Sequence, residues 1–247
     1  MSEPASQPRG VLRDRARRAA WPAVCIAAVV AILAAYLFLV GSNAVYLGWE
    51  DLKWFLQRSR LWVRFGLTCY TATTATLLSL LVGIPAGYAL SRLRFPCPTL
   101  VSTLIDLPVM VPPAAVGAFL FSVVHSFPVK PLTDLLGMRF AHNAEGVILV
   151  QFVVTAAFCA RLMKASFDAV NPRFEHISRS LGAPLPRTLR KVTLPLAKNG
   201  IIASAIVVWA RAAAEWEAIM LFVGGTEGQT DVMPFSVYLD WNGGMMG

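Results

Sequence analysis

Five apolar blocks, each about the length of a membrane-spanning helix, constrain the fold of this chain more than any other feature. An α-helix needs about 20 residues to cross a hydrocarbon core roughly 30 Å thick, and no block alternates like a barrel strand. Hydrophobic residues make up 56% of the 247, above the roughly 45–50% usual in soluble domains. We therefore predict an all-α, polytopic transmembrane helical bundle. The blocks are 21–40, 67–90, 100–124, 146–163 and 200–223.

The N-terminal segment is polar and basic, and it precedes the first apolar block directly. A cleaved signal peptide is the rival interpretation, but this block is longer than an h-region of about 7–15 residues. We therefore predict a basic cytoplasmic arm at 1–20, a retained helix at 21–40, an external loop at 41–60 and a densely organised membrane domain at 61–247. The arginines of the arm are Arg9, Arg13, Arg15, Arg17 and Arg18.

The positive charges predict the orientation, because short loops rich in Lys and Arg stay in the cytoplasm. Threading five helices from a cytoplasmic N-terminus places the arm, the Arg92/Arg94 turn and the segment 164–198 inside. The net charge of +8 is thereby explained by topology. No aromatic and basic module for nucleic acid is visible, so we expect lipid contacts and no nucleic-acid partner.

Metal and disulfide chemistry is not indicated. The cysteines are widely spaced without a CxxC pair or metal-ligand spacing, and small buried cysteines usually serve packing. The histidines are equally scattered. We expect no metal site and no directly bound cofactor. The residues concerned are Cys25, Cys69, Cys97, Cys159, His125, His142 and His176.

The third block contains Pro112 and Pro113 near its middle, with Asp106 before them. Each proline removes a backbone N–H and clashes with the preceding turn, so we expect the helix to kink. In a bilayer, freed carbonyls are tolerated only against protein or water. Two interpretations stay open: a structural kink in the bundle, or a kink that lines a transport path.

The fifth block contains Arg211, Glu215 and Glu217 in an alanine-rich apolar run. Charges at membrane depth are costly and are functional candidates by default. Arg211 and Glu215 are four residues apart and share a helix face, so they can neutralise one another. Either that mutual neutralisation or a role in a transport path accounts for them.

The segment between the fourth and fifth blocks has its own helical pattern. Asn171-Pro172 favours a helix start, and Phe174, Ile177, Ser178 and Leu181 recur at helical spacing. Gly182 is the residue type that ends a helix in the left-handed conformation. A second short helix is predicted after Pro186, running to Leu194-Pro195. Such a basic hairpin either docks a partner protein or lies on anionic lipid.

A family resemblance rests on Gly182, nine further residues, and Val192-x-Leu194-Pro195. This spacing resembles the cytoplasmic signature of binding-protein-dependent ABC importer permeases, and the similarity runs from about residue 61 onward. It implies that segment 165–199 is a coupling element that inserts into a groove of an ATPase subunit. The usual Glu-Ala-Ala of the signature is His176-Ile177-Ser178 here, with Glu175 one place earlier. The implied coupling residues are Glu175, Arg179, Leu181, Gly182, Leu185, Val192, Leu194 and Pro195.

Two further stretches resemble the molybdate, tungstate and sulfate branch of that family. They are Leu107–Pro113, and Arg211-Ala212-Ala213-Ala214-Glu215 followed by Gly224-Gly225. The branch pattern is Arg-Ala-Leu-Gly-Glu-Phe-Gly, and this chain departs from it at Ala213, Ala214, Trp216 and Glu217. The resemblance implies import of an oxyanion, with molybdate or tungstate first and sulfate as the alternative. By their depth and polarity, the candidate pathway or gate residues are Asp106, Pro112, Pro113, Arg211 and Glu215.

The resemblance also implies partners. The chain has no GxxxxGK[ST] phosphate loop, so ATP and Mg²⁺ would be used by a separate ATPase subunit. An extracytoplasmic substrate-binding protein and a second permease subunit, as a homodimer, complete the expected inner-membrane assembly. Such permeases generally have a further helix after the fifth block, so we expect a sixth helix to be missing at the C-terminus. A membrane-embedded enzyme and a channel remain the alternative classes.

Overall fold

The computed structural model describes residues 9–46, 59–93, 95–127, 129–135, 140, 142–224 and 230–242. Over these ranges the regular structure is helical, without a strand. The elements are α1 (Arg9–Tyr46), α2 (Ser59–Arg92), α3 (Pro98–Met110), α4 (Pro113–His125), α5 (Val129–Leu135), α6 (Ala144–Asp168), α7 (Arg173–Ser180), α8 (Leu185–Thr188), a π-helical turn (Leu189–Thr193), α9 (Leu194–Ala213), α10 (Glu217–Phe222) and α11 (Met233–Asn242). The all-α prediction is confirmed.

The chain divides into two compact units, residues 1–58 and 59–247. The first contains α1, whose stretch Trp21–Ser42 has a mean hydropathy of 2.9. The predicted basic arm 1–20 includes the start of α1, which begins at Arg9. Alanine and arginine are strong helix formers, and they dominate the segment 13–20. The predicted loop 41–60 is helical to Tyr46, and 47–58 lies outside the described residues.

In the second unit, α2 and α6 pack closely side by side. A Cβ added at Gly83 would lie 2.6 Å from Cys159 Sγ, and one added at Gly87 would lie 2.5 Å from Met163 Cβ. One turn earlier, Ser79 Oγ lies 2.9 Å from the Oγ1 of Thr155. Each step of four residues along α2 is matched by four along α6, so the two helices run parallel.

The parallel arrangement determines how the segment between them must run. Two parallel spanning helices need one net crossing of the membrane between them. The α3–α4 pair, which is bent by 100° between Met110 and Pro113, is long and apolar enough to be that crossing. Counting this bent pair as one span gives five apolar spans among the described residues, in agreement with the five predicted blocks.

The predicted kink in the third block is a complete break. Val111 ends α3 in an extended conformation, with φ −72° and ψ 134°. A residue before proline is disfavoured in the helical region, and Val111 and Pro112 both precede a proline. Pro112 is extended as well, with ψ 136°. Two consecutive residues therefore leave the helix, which turns a kink into a right-angled bend.

The fifth block is likewise not one continuous helix, contrary to the prediction. Helix α9 ends at Ala213, and α10 begins at Glu217. The side chain of Glu215 accepts a hydrogen bond at 3.1 Å from Ala218 N, three residues later in the chain. A carboxylate near a helix start complements the helix dipole, so Glu215 stabilises the break instead of a continuing α9.

Helix α9 runs antiparallel to α6. Ser166 Oγ lies 3.2 Å from Ser204 Oγ, whereas Gln151 Nε2 donates to Ala212 O at 3.0 Å. The later residue of α6 therefore meets the earlier residue of α9. The end of α9 lies beside the first half of α6.

Helix α11 lies after the fifth predicted block, at Met233–Asn242. Arg64 Nε, near the start of α2, forms an ion pair with Asp231 Oδ2 at 2.7 Å. Met233 N donates to Thr68 Oγ1 at 2.9 Å, and Val232 and Phe235 are buried in a core shared with α6 and α10. The expectation of a further, missing spanning helix stays a prediction.

We predict that Gly87→Ala destabilises the protein, because its Cβ would also lie 2.7 Å from the backbone N of Lys164. Overpacking of this kind costs about 1–3 kcal/mol of the free energy of unfolding. Gly66→Ala on the same helix is the matched control, since nothing lies within 4 Å of its added Cβ. There the change should be neutral or stabilising by up to about 1 kcal/mol. Thermal unfolding of the detergent-solubilised protein measures both, and an unchanged Tm for Gly87→Ala would contradict the packing.

The crossing by α3 and α4 predicts opposite labelling of two positions. Cys97 precedes α3, and Glu145 lies in the first turn of α6; both are exposed. In variants with a single cysteine at position 97 or 145, a membrane-impermeant maleimide should label the two from opposite faces. Labelling of both from the same face would make the bent pair re-entrant and refute a single crossing.

Candidate functional site

The predicted coupling segment begins with α7, and both ends of this helix follow from its sequence. At the start, Arg173 N donates to Asn171 Oδ1 at 3.0 Å, which confirms the predicted capping role of Asn171. At the end, Gly182 has φ +86°. Gly182 N donates to Arg179 O at 2.9 Å and Ala183 N to Ser178 O at 3.2 Å. These two hydrogen bonds form a Schellman motif, as the glycine predicted.

One face of α7 is apolar and exposed. Phe174, Ile177 and Leu181 are 51%, 58% and 84% exposed. We call these three residues the α7 ridge. The spacing of the ridge places it on one side of the helix, and Arg179 is exposed beside it. An apolar ridge in a basic setting is a surface that a partner can bury.

The predicted second short helix is wrong in one respect, because it does not end at Leu194-Pro195. Helix α8 begins at Leu185, and the chain continues through the π-helical turn into α9. The turn is closed by Leu194 N donating to Leu189 O, a bond between residues five apart. Pro195 lacks an N–H and clashes with the preceding turn of an α-helix, and the wider π-helical turn before it accommodates the ring.

The remaining predicted coupling residues differ in exposure. Leu185 and Pro195 are exposed, whereas Val192 and Leu194 are half-buried. Leu194 packs against the core cluster that contains Tyr88 and Met163. The predicted coupling segment therefore contains one separate short helix, α7. Its second half, α8 and the π-helical turn, continues directly into α9. The segment is not a pair of separate projecting helices.

Glu175 faces inward, although it was grouped with the coupling residues. It is 7% exposed, and its Oε1 lies 2.9 Å from Arg92 Nε. Tyr88 OH donates to its Oε2 at 3.1 Å. Sequence reasoning missed this role of Arg92, which was counted only as a charge of the turn after α2. No local spacing signals a partner 83 residues away.

Asp106 of α3 forms an ion pair with Arg161 of α6. The pair lies in a cleft of about 320 Å³ that Leu90, Ser102 and Ile105 also line. Arg161 was not among the candidates from sequence. Its signal was present, since it is an arginine inside the fourth apolar block.

Arg211 and Glu215 form the predicted ion pair, with Nη1 and Oε2 2.7 Å apart. The side chain of Glu215 is only 2% exposed, against 36% for Arg211. The helix ends between them at Ala213, so the pair bridges the break instead of lying on one helix face. Glu217 begins α10, beyond that break.

The two ion pairs lie at different depths. Gln151 of α6 contacts Ala212 beside the Arg211–Glu215 pair, whereas Arg161 is ten residues further along α6. At 1.5 Å per residue the two levels are about 15 Å apart. The candidate pathway residues therefore form two charged levels, not one cluster.

The two helix breaks are neighbours. Pro112 and Pro113 lie at the start of α4, and α4 packs against α10. A Cβ at Gly117 would lie 2.5 Å from Ala218 O, so glycine permits this close contact. The half-helices that follow the two breaks are thereby held against each other.

Residues 79–239 match the family of binding-protein-dependent transport system inner membrane components. The chain belongs to this family. The permease is 35% identical over 152 residues to the molybdate/tungstate transport system permease protein WtpB of Pyrococcus furiosus, covering 62% of this chain and 56% of that protein. It is 30% identical over 179 residues to the molybdenum transport system permease protein ModB of Escherichia coli K12, covering 72% and 78% of the two chains.

A solved structure of low identity shares the fold of the permease. A bacterial ABC transporter involved in the import of the acidic polysaccharide alginate has a TM-score of 0.58 at 20% identity, covering 96% of this chain and 82% of that chain. These comparisons confirm the family resemblance drawn from Gly182 and Val192-x-Leu194-Pro195. The permease is a multi-pass membrane protein of a transport family. It spans a little over half the length of WtpB.

Breaking the Arg211–Glu215 pair from one side should destabilise the permease more than removing both charges. Arg211→Ala leaves a buried carboxylate unpaired, which costs about 3–5 kcal/mol. Combining it with Glu215→Gln removes the unpaired charge and keeps an acceptor for Ala218 N. We expect the double variant to recover much of the Tm lost by Arg211→Ala in detergent. Additive losses in the two single variants and the double variant would contradict this coupling.

Proposed function

We propose that this chain is the permease subunit of an ATP-driven importer that moves molybdate or tungstate across the inner membrane into the cytoplasm. The observation that carries the substrate is the similarity to permeases named for molybdate and tungstate, at 30–35% identity. Sulfate is the second candidate, because the sequence resemblance covers the molybdate, tungstate and sulfate branch as a whole. Another small solute is the alternative that Glu217 favours, since this residue stands where the oxyanion branch has glycine. An added carboxylate is electrostatically unfavourable near an anion path.

In this proposal, the ATPase subunit acts on the permease through α7. The α7 ridge is exposed and apolar, and the Schellman motif at Gly182 holds its end in one conformation. A separate ATPase subunit would bury this ridge in a groove on its surface. Arg179, Leu181, Gly182 and Leu185 belong to this proposed contact, whereas Glu175 supports it from within.

The proposed path runs along the two charged levels. An oxyanion that passes between helices in a low-dielectric medium needs cations that can exchange their carboxylate partners. Arg211 with Glu215 and Arg161 with Asp106 supply such cations at two depths. We propose that the broken segments around Pro112–Pro113 and Glu215 line or gate the passage. Irregular backbone at membrane depth is typical of such sites.

The proposed orientation places α7 and the inner ends of α2 and α6 in the cytoplasm. The segment 164–198, which contains α7 and follows α6, is rich in Lys and Arg, as cytoplasmic loops are. With α1 as a first span, the N-terminus is then cytoplasmic. An external substrate-binding protein would meet the opposite face, and a second copy of the permease would complete the path.

Reconstitution tests the substrate and the energy source together. The permease, its ATPase and its binding protein in proteoliposomes should take up molybdate or tungstate only when ATP is enclosed with the ATPase. Sulfate is the competing solute, and exclusive uptake of sulfate would refute the proposed substrate. Uptake without ATP would indicate a channel.

The Arg211–Glu215 gate predicts a transport defect in conservative variants. Arg211→Lys keeps the charge but not the fork geometry of the guanidinium, and Glu215→Gln keeps the size but not the charge. We expect each to lower uptake by at least about tenfold, the equivalent of about 1.4 kcal/mol. Uptake at the wild-type rate in both variants would remove these residues from the path.

The left-handed conformation of Gly182 predicts a graded effect on ATPase association. Nothing lies within 4 Å of an added Cβ there, so the cost of substitution is conformational. Asparagine tolerates the left-handed region better than a β-branched residue. Gly182→Val should therefore lose co-purification of the ATPase, while Gly182→Asn retains most of it. Equal association of both variants would show that the end of α7 does not matter for docking.

A further inference from the structure

We infer that Tyr88, Arg92 and Glu175 form an internal joint that fixes α7 to the α2–α6 pair and transmits its movement to them. We call these three residues the Arg92 joint. The inference rests on the proposed function, in which a partner ATPase moves α7. It assigns Arg92 and Glu175 as positioning residues, since neither needs to touch the solute or the ATPase.

Arg92 is the centre of the joint, and its side chain is 12% exposed. Its Nε donates to Glu175 Oε1 at 2.9 Å, and its Nη2 donates to Phe167 O at 2.9 Å and to Val170 O at 2.8 Å. Its Nη1 donates to Ser91 Oγ at 3.0 Å. Four of the five N–H donors of the guanidinium are thus used at one point. A lysine ammonium has three donors and no planar fork, so it cannot reproduce this set.

Phe167 O lies in the last turn of α6, and Val170 O lies two residues beyond the end of that helix at Asp168. The last carbonyls of a helix have no partner within it, and a cation there complements the helix dipole. Arg92 of α2 therefore caps α6 while it pairs with Glu175 of α7. The ring of Tyr88 packs edge-to-face on Phe167 at 5.6 Å between centroids, which closes the joint on its apolar side.

Glu175, the part of the joint that belongs to α7, lies on a different face of this helix from the α7 ridge. Glu175 is buried, and its two carboxylate oxygens accept from Arg92 and Tyr88 respectively. The ridge points away from the bundle and is exposed. A force applied to the ridge is therefore carried inward through Glu175. Pulling Glu175 away from Arg92 would leave both buried charges without a partner, which is strongly unfavourable.

Movement of the joint must reach both α2 and α6. At Gly83 and Gly87 the two helices approach so closely that no Cβ fits between them, so they move as one body. A second link leads to α9, since Ser178 Oγ lies 3.0 Å from Thr188 Oγ1 in α8. Helix α7 is thereby connected to the elements that hold both charged levels.

The test compares Arg92→Lys and Glu175→Gln with wild type in the complete transporter, in lipid nanodiscs with its ATPase and binding protein. We expect ATPase co-purification and the basal ATPase rate to stay within about twofold of wild type. Stimulation of the ATPase by the loaded binding protein should fall by about tenfold, as expected when coupling between two sites is lost. A purely structural role would instead lower association and basal rate together.

Hydrogen exchange of the permease provides a readout that needs no solute. In both variants, the amides of 173–181 should exchange at least about tenfold faster, while those of 146–160 in α6 stay unchanged. Lys198→Gln is the matched control. It removes one exposed charge from the second turn of α9 and leaves the hydrogen bonds of Arg92 and Glu175 unchanged. Surface substitutions of this kind change stability little, so this variant should behave like wild type in every assay.

Several outcomes would overturn the joint: wild-type stimulation in both variants, unchanged exchange at 173–181, or loss of ATPase association with normal exchange. The last would place Glu175 in the docking contact itself. If both variants fail to insert, Tyr88→Phe replaces them, because it removes only the hydrogen bond to Glu175. A ratio of stimulated to basal ATPase rate equal to that of wild type would then overturn the joint. Wild-type protein that takes up neither molybdate nor tungstate would contradict only the proposed function, and the exchange result then decides the joint.

Discussion

The close parallel contact of α2 with α6 is the constraint on which the rest of the membrane domain depends. Glycines at 83 and 87 remove the side chains that would hold the two helices apart. Because the pair is parallel, the chain must return across the membrane between them, and the bent α3–α4 pair is long and apolar enough to be that crossing. The same contact brings the ends of both helices together, so that Arg92 of α2 reaches Phe167 O in the last turn of α6 and Val170 O just beyond it.

Charge inside this bundle is organised in pairs, each placed where the backbone or a cleft can accommodate it. Glu215 balances Arg211 and also accepts a hydrogen bond from Ala218 N in the first turn of α10, so a single carboxylate stabilises both the ion pair and the helix break. Asp106 and Arg161 join α3 to α6 beside a cleft, about 15 Å away along α6. The two pairs therefore form two separate charged levels within the bundle.

Local sequence signals predicted local structure well. The apolar blocks, the capping Asn171 and the left-handed Gly182 were all recognised, because each depends on residues a few positions apart. The failures have a common cause. Helix α9 ends before Glu215 because the Glu215 side chain accepts a hydrogen bond from Ala218 N. Helix α8 continues through the π-helical turn because that turn accommodates the ring of Pro195. Neither effect is part of local helix propensity. The inward orientation of Glu175 depends on Arg92, which is distant in sequence and therefore invisible to any periodic pattern.

By itself, the sequence determined that this protein is a helical membrane bundle with a short basic segment between its fourth and fifth apolar blocks, since apolar length, charge bias and the Gly182 to Pro195 spacing are properties of the linear chain. Only the tertiary structure decided which side chains of that segment face outward and which charges meet inside. Those choices follow from the packing of α2 against α6, because burying a charge is tolerated only where a partner is held in place. The fold supplied that partner for Glu175 and left Phe174, Ile177 and Leu181 exposed.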